Sequence, residues 1–459
     1  MLSTHPLDSD LDALRAQLDG VIVLPGDETW DQARQAWNLA ADQRPELVAL
    51  PRSAGDVQAI VDYARSRGLR IAMQGTGHNA TPMGPLDGTV LVKTSEMRAV
   101  EIDEAHCVAR IEAGALWSDV TAPASEAGLA ALAGSSPDVG VVGYTLGGGL
   151  SWLGRKYGLA ANRLLAVELV TADGRLVRAT RHDQPELFWA LRGGGGNFGA
   201  VVAIEFELIP LRKVYAGMLL FDWENAREIM HTWREWTSTV PESVTTSFRI
   251  MQLPPLPELP DFLRGRKLVI IDGAIVEGDE RAAEILAPLR ALGPEMDTFS
   301  SIPPVGLSYI HMDPEEPMPG ISDSALLSSL PAEAVDAIID VAGPGSGSPL
   351  VMVELRHIGG ALGRYAGGAV SRFEGEYLYF AGGVPVDAAL VAAIEARFAL
   401  VAGALEPYTN GRQYLNFAER PHNPAAFYGE ETYARLRRVK AQVDPLEIFR
   451  GNYQIPAAS

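Results

Sequence analysis

Gln74-Gly75-Thr76-Gly77-His78-Asn79 is the stretch on which the reading of this chain turns. It follows an apolar run, Leu69-Arg70-Ile71-Ala72-Met73, that reads as a strand. A helical pattern, Val57 to Ala64, precedes that run. A histidine therefore stands on a glycine-rich loop at a strand end. Such a loop offers successive backbone N–H groups to an anion such as a pyrophosphate. An imidazole placed there is a nucleophile beside whatever carries the phosphates. The combination suggests a flavin dinucleotide, covalently held.

Outward from this loop, residues from about Arg44 to about Leu211 read as alternating strands and helices. Ser53-Ala54-Gly55-Asp56 has the form of a capping box, and Val57, Ile60, Val61 and Ala64 fall on one helical face behind it. Strands are expected at Ile71–Gln74, Val90–Lys93, Val100–Asp103, Val108–Glu112 and Ala200–Ile209, and a helix at Leu116–Glu126. Val167–Ala172 and Leu176–Ala179 read as a hairpin around Asp173-Gly174. Pro185–Leu191 reads as a short helix with proline in its first turn. Beyond Pro210 strand runs (Gly217–Phe221, Thr245–Met251, Lys267–Ala274, Met352–His357, Tyr377–Ala381) alternate with helical runs (Glu224–Thr237, Glu280–Leu292, Ala332–Val341, Ala388–Val401). That half predicts an α+β domain with a largely antiparallel sheet. Leu253–Pro260 and Gly343–Pro349 are connections, and Glu430–Val443 is a last helix.

The chain has 459 residues, 47 % of them hydrophobic, enough for two or three globular domains. Its formal net charge of −20 argues against nucleic acid or an anionic membrane as partner. The only cysteine, Cys107, rules out an intramolecular disulfide framework or an all-thiolate metal site. It is expected in a strand as a small buried apolar residue. Met1 to Asp10 has neither a basic flank nor an apolar core, so no signal peptide is read. No apolar run is read as long enough to span a bilayer. The expectation is a soluble cytoplasmic protein.

Gly194-Gly195-Gly196-Asn197-Phe198-Gly199 matches G-x-G-x-x-G, but a helix precedes it and a strand follows. The dinucleotide fingerprint needs the reverse, so a Rossmann reading is rejected. No P-loop and no H-E-x-x-H motif occurs, and the eight histidines are scattered, so no metal site is expected. Gly143-Tyr144-Thr145-Leu146-Gly147-Gly148-Gly149 is a second glycine-dense loop, behind Ser135-Ser136-Pro137-Asp138-Val139-Gly140. Its apolar flanks favour a buried loop that a ligand approaches closely over a flexible surface loop.

Taken in order, these residues resemble the FAD-linked oxidases of the vanillyl-alcohol oxidase superfamily, in its berberine bridge enzyme-like branch. The resemblance spans nearly the whole chain. It is carried by Pro51-Arg52-Ser53, Gly77-His78-Asn79, Gly147-Gly148-Gly149, Arg155-Lys156-Tyr157-Gly158-Leu159, Arg192-Gly193-Gly194-Gly195 and Asn197-Phe198-Gly199 in the first half. Tyr414-Leu415-Asn416-Phe417, Tyr428-Gly429, Arg435-Leu436, Val439-Lys440, Asp444-Pro445 and Asn452-Tyr453 carry it near the C-terminus. Bacterial members of the 6-hydroxy-D-nicotine oxidase type are closer in size and layout than the plant members.

The resemblance implies an α+β fold: a two-lobed FAD-binding domain of the PCMH type, both lobes α/β, over residues 1–211 (core about 44–211). A substrate domain over 212–405 and a segment, 406–459, returning to the first domain complete it. It implies that His78 is bonded to the 8α-methyl of FAD. Gln74, Gly75, Thr76, Gly77, Asn79, Ser135, Ser136, Val139, Gly140, Gly143, Gly147, Gly148, Tyr157, Gly158, Val202, Asn452 and Tyr453 are the implied cofactor contacts. Relatives with two covalent bonds use a cysteine where this chain has Ser136, so a single bond is expected. Val139 matches a position beside the oxygen-reactive face of the flavin. Its small side chain implies dioxygen as acceptor and hydrogen peroxide as product.

The flavin carries the redox step, and the protein orients the substrate and handles its proton. Some relatives carry a tyrosine base where this chain has Phe417, which takes no proton. The remaining candidates for the base are Tyr414, Glu354 and Tyr144, with Arg356, Asn416 and Phe417 as substrate contacts. Strand alternation puts Met352, Glu354 and Arg356 on one face, where Glu354 and Arg356 are either a structural ion pair or a desolvated base with its partner. Tyr144 is either near the flavin or a packing aromatic. The leading reading is an oxidase of a small alcohol, amine or phenol-like natural product. The alternatives are a polyketide-tailoring oxygenase or dehydrogenase and, from another class, a flavin-binding protein without turnover.

Overall fold

The computed structural model describes residues 6–255, 257 and 259–458. Met1–His5, part of the stretch read for a leader, lie outside the described residues, as do Leu256 and Glu258 of the Leu253–Pro260 connection.

The strand before the decisive loop, Arg70–Gln74, lies inside a five-stranded sheet ordered Val21–Val23, Leu47–Leu50, Thr89–Lys93, Arg70–Gln74, Phe449–Arg450. Only the Val21–Val23 pairing is antiparallel. The last strand comes from the C-terminus, so the tail of the chain closes the sheet that carries His78. Helix Ala54–Arg67 covers this sheet, with Val57, Ile60, Val61 and Ala64 fully buried. Ser53 caps it, its Oγ accepting from the Asp56 N–H at 3.1 Å. The expected capping box closes on that side only. The Asp56 carboxylate accepts instead from the N–H groups of Asp19, Gly20 and Arg52, tying down the N-terminal segment.

A second five-stranded sheet runs Val100–Asp103, Val108–Glu112, Ala200–Glu207, Leu164–Val170, Leu176–Thr180. All its pairings are antiparallel. This lobe therefore departs from the α/β alternation read across residues 44–211: it pairs two hairpins, Val100–Asp103 with Val108–Glu112 and Leu164–Val170 with Leu176–Thr180, on either side of the strand Ala200–Glu207, and helices such as Trp117–Glu126 and Pro185–Leu191 lie in the connections between them. Cys107 is not in a strand. It ends the turn before Val108–Glu112, with φ +54°, and is half-buried. Gly143 to Leu146 of the second glycine-dense segment lie in a helix, Val141–Leu146, rather than in a loop.

The third sheet is wholly antiparallel. Its long strands run Val214–Asp222, Lys267–Ile275, Val244–Gln252, Met352–His357, Tyr377–Gly383, Ile321–Leu327. Residues paired directly across antiparallel strands share a face. One face carries the row Ile271, Phe248, Leu355, Tyr379. It is buried under Ala226–Thr237, Asp279–Arg290, Ala332–Ala342 and Ala388–Leu405. The other face carries Asp272, Ser247 and Arg356 in one row and Arg249, Glu354, Phe380 and Ser324 in the next. The helices thus take the apolar side, and the charged side is left for the first two lobes.

Among the described residues one helix, Ala388–Tyr408, is long and apolar enough by length and composition to cross a membrane, against the sequence expectation. In the fold it buries Ile394, Phe398, Val401 and Leu405 in the third sheet's core. Its Arg397 donates to the carbonyls of Val341 and Ser346, and Glu395 pairs with Arg420.

Candidate active site

His78 sits where the Arg70–Gln74 strand ends, and three segments meet around it. Trp37 stacks on the imidazole with centroids 4.2 Å apart and planes 17° from parallel. Thr76 Oγ1 lies 2.7 Å from His78 Nδ1. Asp138 Oδ2 lies 3.4 Å from His78 Nε2, near enough for attraction but without the alignment of a hydrogen bond. Asp138 is itself held by Trp37 Nε1 and by Ser136 Oγ, each at 2.6 Å. Burial pushes its carboxyl up, but His78, Ser136 and Trp37 outweigh that and hold it below the usual range.

The backbone of the loop is open to a ligand. Among the described residues, no acceptor takes the N–H of Gly75, Thr76, Gly77, His78 or Asn79, and none takes that of Ser136, Asp138, Val139 or Gly140. Buried or half-buried backbone donors are almost always paired, so two facing runs of free N–H groups are a cradle for anionic oxygens. The runs face each other directly: a Cβ on Gly140 would lie 3.8 Å from Thr76. Gly77, at φ +89°, has Ala36 within 2.8 Å of where a Cβ would stand, so only glycine makes this turn.

The C-terminal segment locks the same region. Asn452 donates to the Asn79 carbonyl, and Asn79 Nδ2 donates to the Leu415 carbonyl at 3.0 Å. The Tyr453 hydroxyl donates to the Arg420 carbonyl and its ring packs on Phe427, a supporting role. Gln74 donates to Gln43. Val202 lies at a bulge with its side chain in an apolar core. The Tyr157 ring, followed by Gly158 at φ +87°, packs with Trp152 and Leu153. None of its described contacts reaches the His78 loop.

The second glycine segment makes room for side chains. Asn416 Nδ2 donates to the Tyr144 carbonyl and to the Tyr414 hydroxyl. Gly149 N–H donates to the same hydroxyl at 3.0 Å. Gly147 and Gly148 lie under Asn416 and Tyr414, whereas Gly143 has open space beside it. The close approach expected of a ligand is made here by Asn416, Tyr414 and Tyr144. Tyr144 is a packing aromatic: its hydroxyl donates to the Leu132 carbonyl and its ring meets Trp117 edge-on. Burial raises its pKa well above the usual phenol value. The fully buried Tyr414 is raised too, by burial, against the two hydrogen bonds it accepts.

Above these loops stands the charged face of the third sheet. Arg356 Nε donates to Glu354 Oε1 at 2.7 Å, and the guanidinium lies over the rings of Trp152 and Phe417. It also approaches Ser135 Oγ at 3.5 Å, joining the sheet to the 135–140 loop. Glu354 is 1 % exposed, and its Oε2 has no partner among the described residues. His311 Nε2 is 3.6 Å from Glu354 Oε1, while its Nδ1 is 2.7 Å from Asp272. Burial raises Asp272, but Arg249 and then His311 outweigh it and hold the carboxyl well below the usual range. Asp313, which accepts from Ser135 at 2.7 Å, is lowered in the same way by His311 and Arg356.

Asp272, Arg249, His311, Asp313 and Trp37 were not found by sequence reasoning. Asp272 left a signal, a charge between the apolar run Leu268-Val269-Ile270-Ile271 and Gly273-Ala274-Ile275. His311 and Trp37 left none, since only the tertiary fold brings them in.

The comparisons with known proteins agree with this geometry. Residues 45–180 match the family model described as FAD binding domain, and 413–456 match that described as berberine and berberine like. The chain is 30 % identical over 464 residues to (R)-6-hydroxynicotine oxidase of Paenarthrobacter nicotinovorans, covering 95 % of this chain and 97 % of that one. The solved 6-hydroxy-D-nicotine oxidase of Arthrobacter nicotinovorans superposes with a TM-score of 0.82 at 28 % identity, over 95 % of this chain and 98 % of that one. The Physcomitrella patens BBE-like 1 structure superposes with a TM-score of 0.85 at 20 % identity, over 98 % and 99 %. The fold and site define an FAD-linked oxidoreductase with a PCMH-type cofactor domain. The chain belongs to the berberine bridge enzyme-like branch of the vanillyl-alcohol oxidase superfamily, and FAD is its cofactor.

Proposed function

We propose that this enzyme is an oxidase whose FAD is bonded to His78. It oxidises a C–H bond of a small alcohol, amine or phenol-like compound and passes the electrons to dioxygen. FAD supplies the hydride acceptor and the route to dioxygen. The two runs of free N–H groups hold its phosphates, and His78 fixes its ring.

The observation that carries the reading is the unpartnered Glu354 Oε2. An unsatisfied buried carboxylate oxygen is costly, so a ligand proton is its natural partner. Glu354 takes the hydroxyl or amine proton as the C–H hydride leaves. Arg356 holds Oε1 and aims Oε2, and Trp152 and Phe417 hold Arg356 in place. Tyr414 accepts two hydrogen bonds through its oxygen, which leaves its own proton for a substrate heteroatom. Phe380, 5.2 Å from Phe417, adds an apolar wall suited to a ring or alkyl group.

Peroxide release across a panel of small amines, alcohols and phenols tests the reading. At least one compound is expected to give one peroxide per substrate, and E354Q to lower kcat by about 10²–10⁴-fold. Oxygen retained in the product in place of peroxide would contradict the oxidase assignment.

A further inference from the structure

Asp138 lies beside the imidazole of His78. Its carboxylate faces Nε2 at 3.4 Å and is fixed at both oxygens, Oδ1 by Ser136 and Oδ2 by Trp37. Trp37 also stacks on the imidazole, so one residue sets both the ring plane and the carboxylate. His78 Nε2 is buried and has no hydrogen-bond partner. A carboxylate beside one imidazole nitrogen keeps the proton there and leaves the lone pair on the other. That other nitrogen is Nδ1, which faces Thr76 Oγ1.

We propose that Asp138, positioned by Ser136 and Trp37, is the group that activates His78 for its own attachment to FAD. The inference rests on the covalent reading above. In the attachment a bond forms between His78 Nδ1 and the 8α-methyl carbon, and one methyl C–H breaks, its proton passing to solvent. The electron pair of that C–H stays with the flavin ring, leaving it reduced by two electrons. Dioxygen then takes those electrons and becomes hydrogen peroxide. The imidazole, briefly cationic, gives up its Nε2 proton, and Asp138 is the acceptor. Ser136, at the position where relatives with two bonds carry a cysteine, serves here by holding the base.

The test uses full-length chain produced without flavin and then given FAD in air. Flavin that stays with the polypeptide after acid precipitation is followed against time, alongside total bound FAD before precipitation. Wild type is expected to become covalently labelled. D138N is expected to bind FAD but to form the bond at least tenfold more slowly. D138A is expected to behave likewise and to recover with added formate, a small carboxylate able to fill the gap. S136A is expected to be slowed less. D138N labelling at the wild-type rate, or D138A slowed but unmoved by formate, would overturn the role of Asp138 while leaving the His78 bond intact. Wild type that never labels would overturn the bond itself, and this inference with it. Circular dichroism and retained non-covalent FAD separate slow chemistry from misfolding.

Discussion

A Cβ built on Gly147 would stand 1.7 Å from Asn416 Oδ1. The two residues are 269 apart in the chain, and the absent side chain of one is the space the other fills. Through this contact the C-terminal segment seats Tyr414 over the cofactor lobes, because Asn416 also donates to the Tyr414 hydroxyl.

G147A is therefore expected to destabilise the fold by about 1–3 kcal/mol, the usual cost of overpacking, and to weaken FAD retention. G143A, four residues earlier with open space beside it, is expected to change stability by less than about 0.5 kcal/mol. Urea unfolding of both variants checks the contrast.

Arg356 neutralises Glu354 and approaches Asp313 in a buried setting, and burial's pull on its own pKa is outweighed by those carboxylates, which raise it. R356A leaves buried acids without their cation and is expected to cost about 3–5 kcal/mol. R356K keeps charge but not the planar group stacked on Trp152 and Phe417. It is expected to fold with a smaller stability loss and to lower kcat. Thermal unfolding and peroxide release read the two effects separately.

Glu419 makes stability depend on pH. Burial raises its pKa from 4.5 to about 7. The folded state then holds a proton that the unfolded state has released, so stability falls as pH rises from about 4.5 to about 7. E419Q removes that slope, and the stability curves of variant and wild type are expected to converge below pH 4.5 and separate above it.

Much of this was legible in the sequence because local rules and tertiary packing agree. Helices Pro185–Leu191 and Glu430–Val443 fall where their patterns place them, and so does the Met352–His357 strand with its two faces. The misreadings share a cause. The segment 143–149 looks like a loop because glycine disfavours helix, yet its first residues lie in the helix Val141–Leu146, and Gly147 and Gly149 just past that helix admit Asn416 and Tyr144. Strand Ile321–Leu327 turns Ser322 and Ser324 toward the site and carries Asp323 on its other face, and these polar residues weakened the apolar signal. Asp138 was visible as a residue, but its importance depends on Trp37, which lies 101 positions away.

The bond between His78 and FAD holds the rest of the proposed chemistry together. Its most direct test is proteolysis of the denatured holoenzyme, followed by mass spectrometry of the yellow peptide. One flavin-bearing peptide is expected, the one containing His78, and no protein-bound flavin in H78A. Flavin released free on denaturation, or found on any other residue, would contradict it.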